Sequence, residues 1–292
     1  MKPPPFDYAR AESIDEAVAL LARHEGGAKL LAGGQSLMPM LNFRLVRPDL
    51  LVDVNRIPGL AGIEERDGAL RIGALTRHRQ LEVSETVGGR FPMLRAAVRH
   101  VAHLAIRNRG TLGGSLAHAD PAAELPMMSL LLDARIEIHG PTGPRRIAAR
   151  ELFRSALTTD LAETEMLTRV ELPFLPPGTG WGFEEVARRA GDFALAASAA
   201  TVTLAADGRV AQARLAVMGA HDTPLRVPAA EALLTGEAPD RDPVEAAARA
   251  ARDAVEPFDD LHASADFRRH LVAALARRAL ESAARRAQGA VG

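Results

Sequence analysis

Residues 110–121 read GTLGGSLAHADP, a stretch with three glycines and no side chain larger than leucine or histidine. Glycine allows positive φ and lets a ligand approach the main chain closely. The hydroxyls of Thr111 and Ser115 add hydrogen-bond donors for phosphate oxygens. Taken alone, this pattern fits a tight turn as well as an anion-binding site, so both interpretations stay open.

A second glycine turn lies upstream, where the short apolar strand 29–32 runs directly into Gly33-Gly34-Gln35-Ser36. Each turn is expected to present backbone N–H groups to an anion. Gly113–Ser115 is predicted to lie in a loop before a helix. A pyrophosphate needs donors from more than one direction, so two turns meeting on one pyrophosphate would explain both. Neither turn matches the P-loop pattern or the G-x-G-x-x-G pattern of a Rossmann dinucleotide site.

Length and composition limit the remaining possibilities. The 292 residues are 47% hydrophobic and 25% charged, with a net charge of −1, which predicts about two globular domains and no nucleic-acid surface. The chain has no cysteine, so it holds no disulfide, thiolate zinc site, cysteine nucleophile or cysteine-ligated iron–sulfur cluster. The start lacks the apolar segment of a secretory signal, and we expect an intracellular protein.

The N-terminal part alternates helices and strands. Ser13 and Glu16 form a capping-box pattern for a helix that ends at Gly26-Gly27. Thr76 is expected to cap a short helix, and a longer helix covering 91–104 would place His100 and His103 on one face. The other predicted elements are strands at 50–54, 69–74, 134–139 and 166–172 and a helix at 124–132.

The pattern changes after residues 175–180, LPPGTG, which we interpret as a linker. Strands are predicted at 181–187, 195–205 and 209–218, the last two joined by an Asp207-Gly208 hairpin turn. Helices follow from residue 228, the last at about 265–288. Strands followed by helices indicate an α+β fold.

Several stretches resemble one known family. They are LLAGGQSLMPMLNFRL at 30–45, PDLLVDVNRIPGL at 48–60, IRNRGTLGGSLAHADPAAELP at 106–126, MLTRVELP at 166–173 and FEEVARRAGDFALAA at 183–197. The chain resembles, over nearly its whole length, the flavin-binding medium subunit of the molybdenum hydroxylases. That subunit occurs in carbon monoxide dehydrogenase and matches the central flavin domain of xanthine dehydrogenase.

The resemblance implies a two-lobed FAD-binding domain of the PCMH (vanillyl-alcohol oxidase-like) type at residues 1–176, with lobes at about 1–58 and 59–176. A C-terminal α+β domain at 177–292, a three-stranded sheet with helices, would cover part of the flavin. FAD would lie between the lobes.

The resemblance also implies the cofactor-binding residues. The pyrophosphate would be held from one lobe by Ala32, Gly33, Gly34, Gln35 and Ser36. The pyrophosphate or the ribityl chain would be held from the other lobe by Thr111, Leu112, Gly113, Gly114 and Ser115. Lys29 would lie near the adenine half. Glu124 would bind a ribityl or ribose hydroxyl, with Asp120 as a competitor that alternatively fixes its loop. Leu167 would contact the flavin through its backbone.

The GDF sequence at 191–193 places an aromatic ring, Phe193, either over the isoalloxazine or in the core of the second domain. Several relatives carry a lysine where this chain has Glu185, which puts in doubt a positive charge at that point; Arg188 or Arg189 are alternative sources. His118 is interpreted as a loop histidine rather than a catalytic one. We predict no catalytic residue and no metal site.

By the same resemblance, the chain is an electron-transfer subunit of a cytoplasmic complex. A small subunit with two [2Fe–2S] clusters would supply electrons to FAD, a large subunit would hold the molybdenum cofactor, and a dimer of heterotrimers is expected. FAD would pass the electrons to an external acceptor. A stand-alone flavin oxidase of the same fold and a non-catalytic flavin- or nucleotide-binding module are the alternatives.

Overall fold

The computed structural model describes residues 2–289, which begin with a three-stranded parallel sheet. Its strands are β1 (Asp7–Arg10), β2 (Ala28–Leu31) and β3 (Leu50–Asp53), in the order β1-β3-β2. Helix α1 (Ile14–Arg23) connects β1 to β2, and α2 (Leu37–Asn42) lies between β2 and β3. A small separate core around Val18, Leu21 and Val52 holds this unit together. The strands predicted at 29–32 and 50–54 are confirmed, whereas β1 was not predicted.

The cap of α1 differs in one half from the predicted capping box. The hydroxyl of Ser13 accepts a hydrogen bond from the N–H of Glu16 at 3.1 Å, as expected. The carboxylate of Glu16 accepts from the N–H of Glu12 at 2.7 Å instead of reaching Ser13. The helix ends at Arg23, before the predicted stop at Gly26.

A five-stranded antiparallel sheet follows, in the order β4-β5-β10-β6-β7. These strands are β4 (Ile63–Arg66), β5 (Ala69–Gly73), β6 (Arg135–Gly140), β7 (Gly143–Ala148) and β10 (Met166–Pro173). A short ribbon of β8 (Phe153–Ser155) and β9 (Thr158–Thr159) lies beside it. Ile136 and Ile138 are both fully buried on one face, as their alternation predicts.

Seven helices of the described chain lie in the same part of the sequence as this sheet. They are α3 (His78–Val83), α4 (Glu85–Arg90), α5 (Pro92–His100), α6 (Leu104–Arg107), α7 (Leu112–His118), α8 (Glu124–Leu131) and α9 (Ala149–Leu152).

Two predictions for this region are wrong. Thr76 does not cap a helix: α3 begins after Arg77, and the Thr76 hydroxyl donates to the carbonyl of Gly62 at 3.0 Å. The helix predicted at 91–104 is broken after His100, because Ala102 takes a positive φ of 41°. His100 therefore ends α5 and His103 precedes α6, so they do not share a helix face.

The last third of the chain forms a four-stranded antiparallel sheet covered by helices. The strands are β11 (Gly180–Ala187), β12 (Ala194–Leu204), β13 (Val210–Met218) and β14 (Leu225–Arg226), and the helices are α10 (Pro228–Leu234), α11 (Arg241–Ala254) and α12 (Ala265–Ala287). The sheet has four strands and not the three expected. The additional strand, β14, has only two residues, too few to show the alternation of apolar and polar residues that identifies a strand in the sequence. A Cβ on Gly182 would overlap the carbonyl of Ala279, so glycine lets α12 pack directly on β11.

The C-terminal sheet also packs against the earlier part of the chain. Ala197, Ala199 and Met218 belong to the same core as the residues of α5 and α8. The N–H of Gly219 donates to the carbonyl of Pro121 at 2.9 Å. We call this contact zone between α5, α8 and the C-terminal sheet the seam. In residues 2–289, no helix combines the length and apolar character needed to cross a membrane.

Candidate functional site

The first glycine turn leaves β2 with a run of unused donors. Gly34 has a φ of 71°, and the side-chain amide of Gln35 donates to the carbonyl of Gly33 at 2.8 Å. None of the backbone N–H groups of residues 33–37 donates a hydrogen bond to another group of residues 2–289. The hydroxyl of Ser36 likewise makes no capping bond. Consecutive free N–H groups around a left-handed residue form a concavity that binds anions.

The second glycine stretch is a helix start, which corrects the loop predicted for Gly113–Ser115. Thr111 caps α7, with its hydroxyl accepting from the N–H of Gly114 at 3.1 Å. The N–H of Gly113 donates to the carbonyl of Ala74 at 2.8 Å, and that of Ser115 to Thr111 at 3.0 Å. These internal bonds use the donors that we expected the stretch to present. Of the two stretches, only the first therefore leaves a run of backbone N–H groups without internal partners.

Packing explains why small residues are needed in the second stretch. A Cβ on Gly113 would lie 2.7 Å from the Cβ of Ala74, so a side chain there would push α7 away from β5. Apart from the backbone of its own helix, a Cβ on Gly114 would contact only the hydroxyl of Thr111, at 2.7 Å. Gly113 therefore serves helix packing, whereas the exposed Gly114 leaves open space for a ligand.

The two glycine stretches lie against each other. A Cβ on Gly33 would overlap the carbonyl oxygen of Arg109 and lie 2.9 Å from the Cα of Gly110. The first turn is thus pressed onto the residues directly before Thr111. Residues 109 and 110, rather than 111–115 themselves, make this contact with the first turn.

Sequence reasoning missed the side chains that fasten the two stretches together. The amide of Asn55 donates to the carbonyls of Leu31 and Ala32, at 3.2 and 2.9 Å. Its oxygen accepts from the guanidinium of Arg77 at 2.7 Å, and Arg77 also donates to the carbonyl of Arg109. Asn55 and Arg77 thereby connect the end of β2 to the residues before α7. Asn55 lies in the motif at 48–60, but its partners are distant in the sequence, so the spacing of residues within the motif does not predict these contacts.

Asp53 holds Asn55 in place from the other side. Its carboxylate accepts from the N–H and the side-chain amide of Asn55, both at 2.8 Å, and from the hydroxyl of Tyr8 at 2.6 Å. Burial acts to raise the pKa of Asp53, but the hydrogen bonds from Tyr8 and Asn55 outweigh it and keep that pKa below its usual value. Asp53 is therefore a charged acceptor that orients Asn55.

His78 supports the second stretch from beneath. Its Nε2 lies 3.0 Å from the carbonyl oxygen of Thr111, and its N–H donates to the carbonyl of Gly110 at 2.9 Å. Burial is the main reason that the pKa of His78 falls to about 4. The ring is therefore neutral at pH 7, and Nε2–H donates to Thr111.

The other predicted site residues occupy different surroundings. Lys29 is exposed on β2, and Leu167 is buried in β10 beside a β-bulge. The carboxylate of Asp120 accepts from the N–H of Ala122 at 2.9 Å, the contact expected if Asp120 fixes its loop. His118 lies at the end of α7.

Phe193 is 73% exposed, so the alternative that it belongs to the core is wrong. The GDF loop lies against His103 at the start of α6. The approach is so close that a Cβ on Gly191 would overlap the ring of His103. Arg188 and Arg189 are exposed, and Arg188 contacts His262 at 2.7 Å.

Glu124 and Glu185 meet in the seam. Glu124 is 8% exposed at the first position of α8. Burial, and then the charge of Glu185, raise the pKa of Glu124 to about 8. Glu185 lies 3.4 Å from Nδ1 of His100, whose own pKa is raised mainly by this contact. No group of three or more metal-ligating side chains exists within residues 2–289.

Comparisons with known proteins agree with this architecture. Residues 4–175 match the family described as the FAD binding domain in molybdopterin dehydrogenase. Residues 181–283 match the CO dehydrogenase flavoprotein C-terminal domain.

Individual relatives match almost end to end. The chain is 44% identical to the 6-hydroxypseudooxynicotine dehydrogenase complex subunit alpha of Paenarthrobacter nicotinovorans, over 99% of this chain and 97% of that one. It is 38% identical to the carbon monoxide dehydrogenase medium chain of Hydrogenophaga pseudoflava, over 97% and 98% of the two chains. A solved structure of carbon monoxide dehydrogenase from Hydrogenophaga pseudoflava superposes with a TM-score of 0.96 at 40% identity, covering 98% and 99% of the chains. The resemblance seen in the sequence is confirmed: the chain belongs to the family of FAD-binding medium subunits of molybdenum hydroxylases.

Proposed function

We propose that the first glycine turn binds the pyrophosphate of FAD. The observation that carries this proposal is the run of unused N–H groups at residues 33–37, which supplies donors where a doubly charged pyrophosphate needs them. The free hydroxyl of Ser36 adds one more donor. The residues of the turn that take part are Ala32, Gly33, Gly34, Gln35 and Ser36.

The second stretch contributes a surface rather than backbone donors. Open space over Gly114 lets the pyrophosphate or ribityl chain approach α7, where the side chain of Ser115 is available to hydrogen-bond it. Thr111, Leu112 and Gly113 fix the backbone that forms this surface. The cofactor is therefore held between donors on one side and a close-packed helix start on the other.

The proposal keeps the remaining roles implied by the family. Lys29 lies near the adenine half, Glu124 or Asp120 binds a ribityl or ribose hydroxyl, Leu167 contacts the flavin through its backbone, and Phe193 covers the ring. The exposure of Phe193 supports this last role, because an aromatic side chain in water is available to pack on a ligand.

The proposed fold is a PCMH-type FAD domain at residues 1–176, with lobes at about 1–58 and 59–176, followed by a C-terminal domain at 177–292. The separate cores of the three-stranded sheet and of the C-terminal helices support this division. The contact of Gly33 with Arg109 and Gly110, which brings the two glycine stretches together, supports a position of FAD between the two lobes.

The function is electron transfer within a larger enzyme. FAD accepts electrons and passes them to an external acceptor, while this chain binds the cofactor, orients it and limits its contact with water. A small subunit with two [2Fe–2S] clusters and a large subunit with the molybdenum cofactor are the proposed partners, in a cytoplasmic dimer of heterotrimers. The names of relatives as complex subunits and medium chains support a multi-subunit assembly.

Co-expression with the two partners tests this function. The complex is expected to reduce a dye acceptor with a substrate drawn from heterocycles, aldehydes and carbon monoxide, whereas this chain alone with FAD is inactive on all of them. Substrate oxidation by the isolated chain would indicate a stand-alone oxidase. A chain that binds FAD but transfers no electrons in the complex would indicate a non-catalytic module.

A further inference from the structure

Three titratable side chains from different elements meet in the seam. They are His100 at the end of α5, Glu124 at the start of α8 and Glu185 in β11, and we call them the seam triad. Nδ1 of His100 lies 3.4 Å from a carboxylate oxygen of Glu185. Glu124 is close enough for the charge of Glu185 to act on it. The triad joins the first part of the chain to the C-terminal sheet.

One carboxylate oxygen of the triad lacks a partner in the described part of the chain. The side chain of Glu185 is 4% exposed, and its Oε2 has no hydrogen-bond partner within residues 2–289. Arg107 is the cation whose charge acts on Glu124. Its Nε donates to the carboxylate of Glu82 at 3.0 Å, so Arg107 is already paired with another acid. Two buried carboxyl groups with so little compensation are costly to ionise together.

Other charges around the triad increase this cost. Asp120 acts on Glu124, and Glu184 acts on His100, each adding negative charge from a neighbouring segment. The pKa of Glu124 is about 8, raised by burial first and by Glu185 second. The carboxylate of Glu185 accepts a hydrogen bond from Nδ1 of His100, and this contact raises the pKa of His100. The triad therefore holds a proton near neutral pH, and a modest change in local charge alters its proton occupancy.

Members of the triad lie close in the chain to both segments that the proposed function places around the flavin. Glu124 lies three residues after the stretch 110–121. The strand of Glu185 leads into the GDF loop, and that loop packs on His103, three residues after His100. Negative charge placed on a flavin between these segments acts on the triad through protein rather than through bulk water, so it is weakly screened.

We infer that, above neutral pH, the seam triad takes up one proton from solvent when FAD bound to this chain is reduced. This inference rests on the proposed function. The flavin itself takes two electrons and one proton to give the FADH⁻ anion. The second proton binds a carboxylate of the triad, so that one negative charge is removed there as one appears on the flavin. The two electrons come from the reductant in the experiment below, which is dithionite, or EDTA under illumination.

The pH dependence of the flavin midpoint potential tests this uptake. For a two-electron couple each coupled proton adds about 30 mV per pH unit. Spectroelectrochemistry of the purified chain with FAD is expected to give about 45 mV per pH unit at pH 8, where about half of the oxidised molecules have lost the proton of Glu124, and to approach about 60 mV, the value for two protons, at pH 9. Glu124→Gln and Glu185→Gln are expected to lower the slope toward about 30 mV.

Two further measurements make the result decisive. Photoreduction at pH 9 with EDTA as the electron donor, in weakly buffered solution with a pH indicator, is expected to consume about two protons per FAD in the natural chain and about one in Glu124→Gln, once the protons released by EDTA oxidation, which are the same for both proteins, are subtracted. Glu64→Gln, which removes an exposed carboxyl on β4, is the control and should behave as the natural chain. A natural chain that binds FAD but consumes one proton, with a slope of about 30 mV per pH unit, overturns the inference and leaves the proposed function intact. A chain that binds no FAD overturns the proposed function itself.

Discussion

Gly33 lies so close to Arg109 that a Cβ on Gly33 would overlap the carbonyl oxygen of Arg109. This contact joins the turn that carries free N–H groups to the segment that leads into α7. Because backbone meets backbone, neither side can move aside as a flexible side chain would. The distance between the two stretches is therefore set by the absence of a side chain at residue 33.

Gly33→Ala is expected to separate the two stretches. Overpacking of this kind costs about 1–3 kcal/mol, so the free energy of unfolding should fall by that amount and the Kd for FAD should rise at least tenfold. Urea denaturation and quenching of flavin fluorescence measure the two effects. Gly89→Ala is the matched control, because a Cβ on the exposed Gly89 of α4 meets nothing within 4 Å. Normal FAD affinity in Gly33→Ala would contradict the role given to this contact.

Asn55→Ala is expected to weaken FAD binding while the fold is kept. The substitution removes the donors to the carbonyls of Leu31 and Ala32 and the acceptor for Arg77. Such bonds contribute about 0.5–1.5 kcal/mol each, and these are exposed, so we expect about a tenfold rise in Kd. Calorimetric titration measures the change. Asn108→Ala, an exposed asparagine at the end of α6, should bind FAD as the natural chain does; equal losses in both variants would argue against a specific role for Asn55.

Gly114→Val is expected to abolish FAD retention. The new Cβ would lie 2.7 Å from the Thr111 hydroxyl that caps α7, and its methyl groups would fill the open space over the helix start. The protein should purify without flavin absorbance and should take up no added FAD. Gly89→Val places the same side chain on another exposed helical glycine and should retain FAD. Flavin content equal to that of the control would show that the cofactor does not approach α7 at this point.

The neutral His78 is expected to make stability depend on pH. Its pKa is about 4 in the folded chain, mainly because of burial, against 6.5 when unfolded. Below pH 6.5 the unfolded chain binds a proton that the folded chain does not, so the free energy of unfolding falls as pH drops from about 6.5 to about 4. The loss reaches about 3 kcal/mol.

His78→Gln isolates this contribution, since glutamine retains an N–H donor for the carbonyl of Thr111 but does not titrate. Glu124 acts in the opposite direction: its pKa is raised by burial to about 8 from 4.5, so its contribution to stability is lost as pH rises through that interval. The contribution of Glu124 is the same in the natural chain and in His78→Gln. The difference between their free energies of unfolding at each pH therefore reports the titration of His78. A difference that is constant from pH 4 to 6.5 would contradict the buried, neutral state of this ring.

The sequence predicted the parts of the fold and site that depend on local patterns. The strand into Gly33, the hydroxyl cap at Ser13 and the buried alternation of Ile136 and Ile138 all follow from nearest neighbours in the chain. The α+β class is confirmed by the order of elements and by the match to carbon monoxide dehydrogenase.

Features that depend on contacts distant in sequence were missed or misread. Residues 111–115 looked like a donor-rich loop because their N–H groups bond to Ala74 and Thr76, which lie after β5 and far away in the sequence. The positive φ of Ala102 that separates α5 from α6 has no signature in the alanine side chain. Asn55 and Arg77 act across the gap between the two sheets, so neither their spacing nor their type identified them.

The most direct test of the central claim compares FAD with riboflavin, which has the same ring and ribityl chain but no pyrophosphate. We expect the purified chain to bind one FAD, with a flavin absorption spectrum, and riboflavin to compete at least a hundredfold more weakly, because the N–H groups of residues 33–37 have nothing to bind in riboflavin. A colourless chain that takes up no FAD, or equal affinity for the two flavins, would contradict the claim that these N–H groups form the pyrophosphate site.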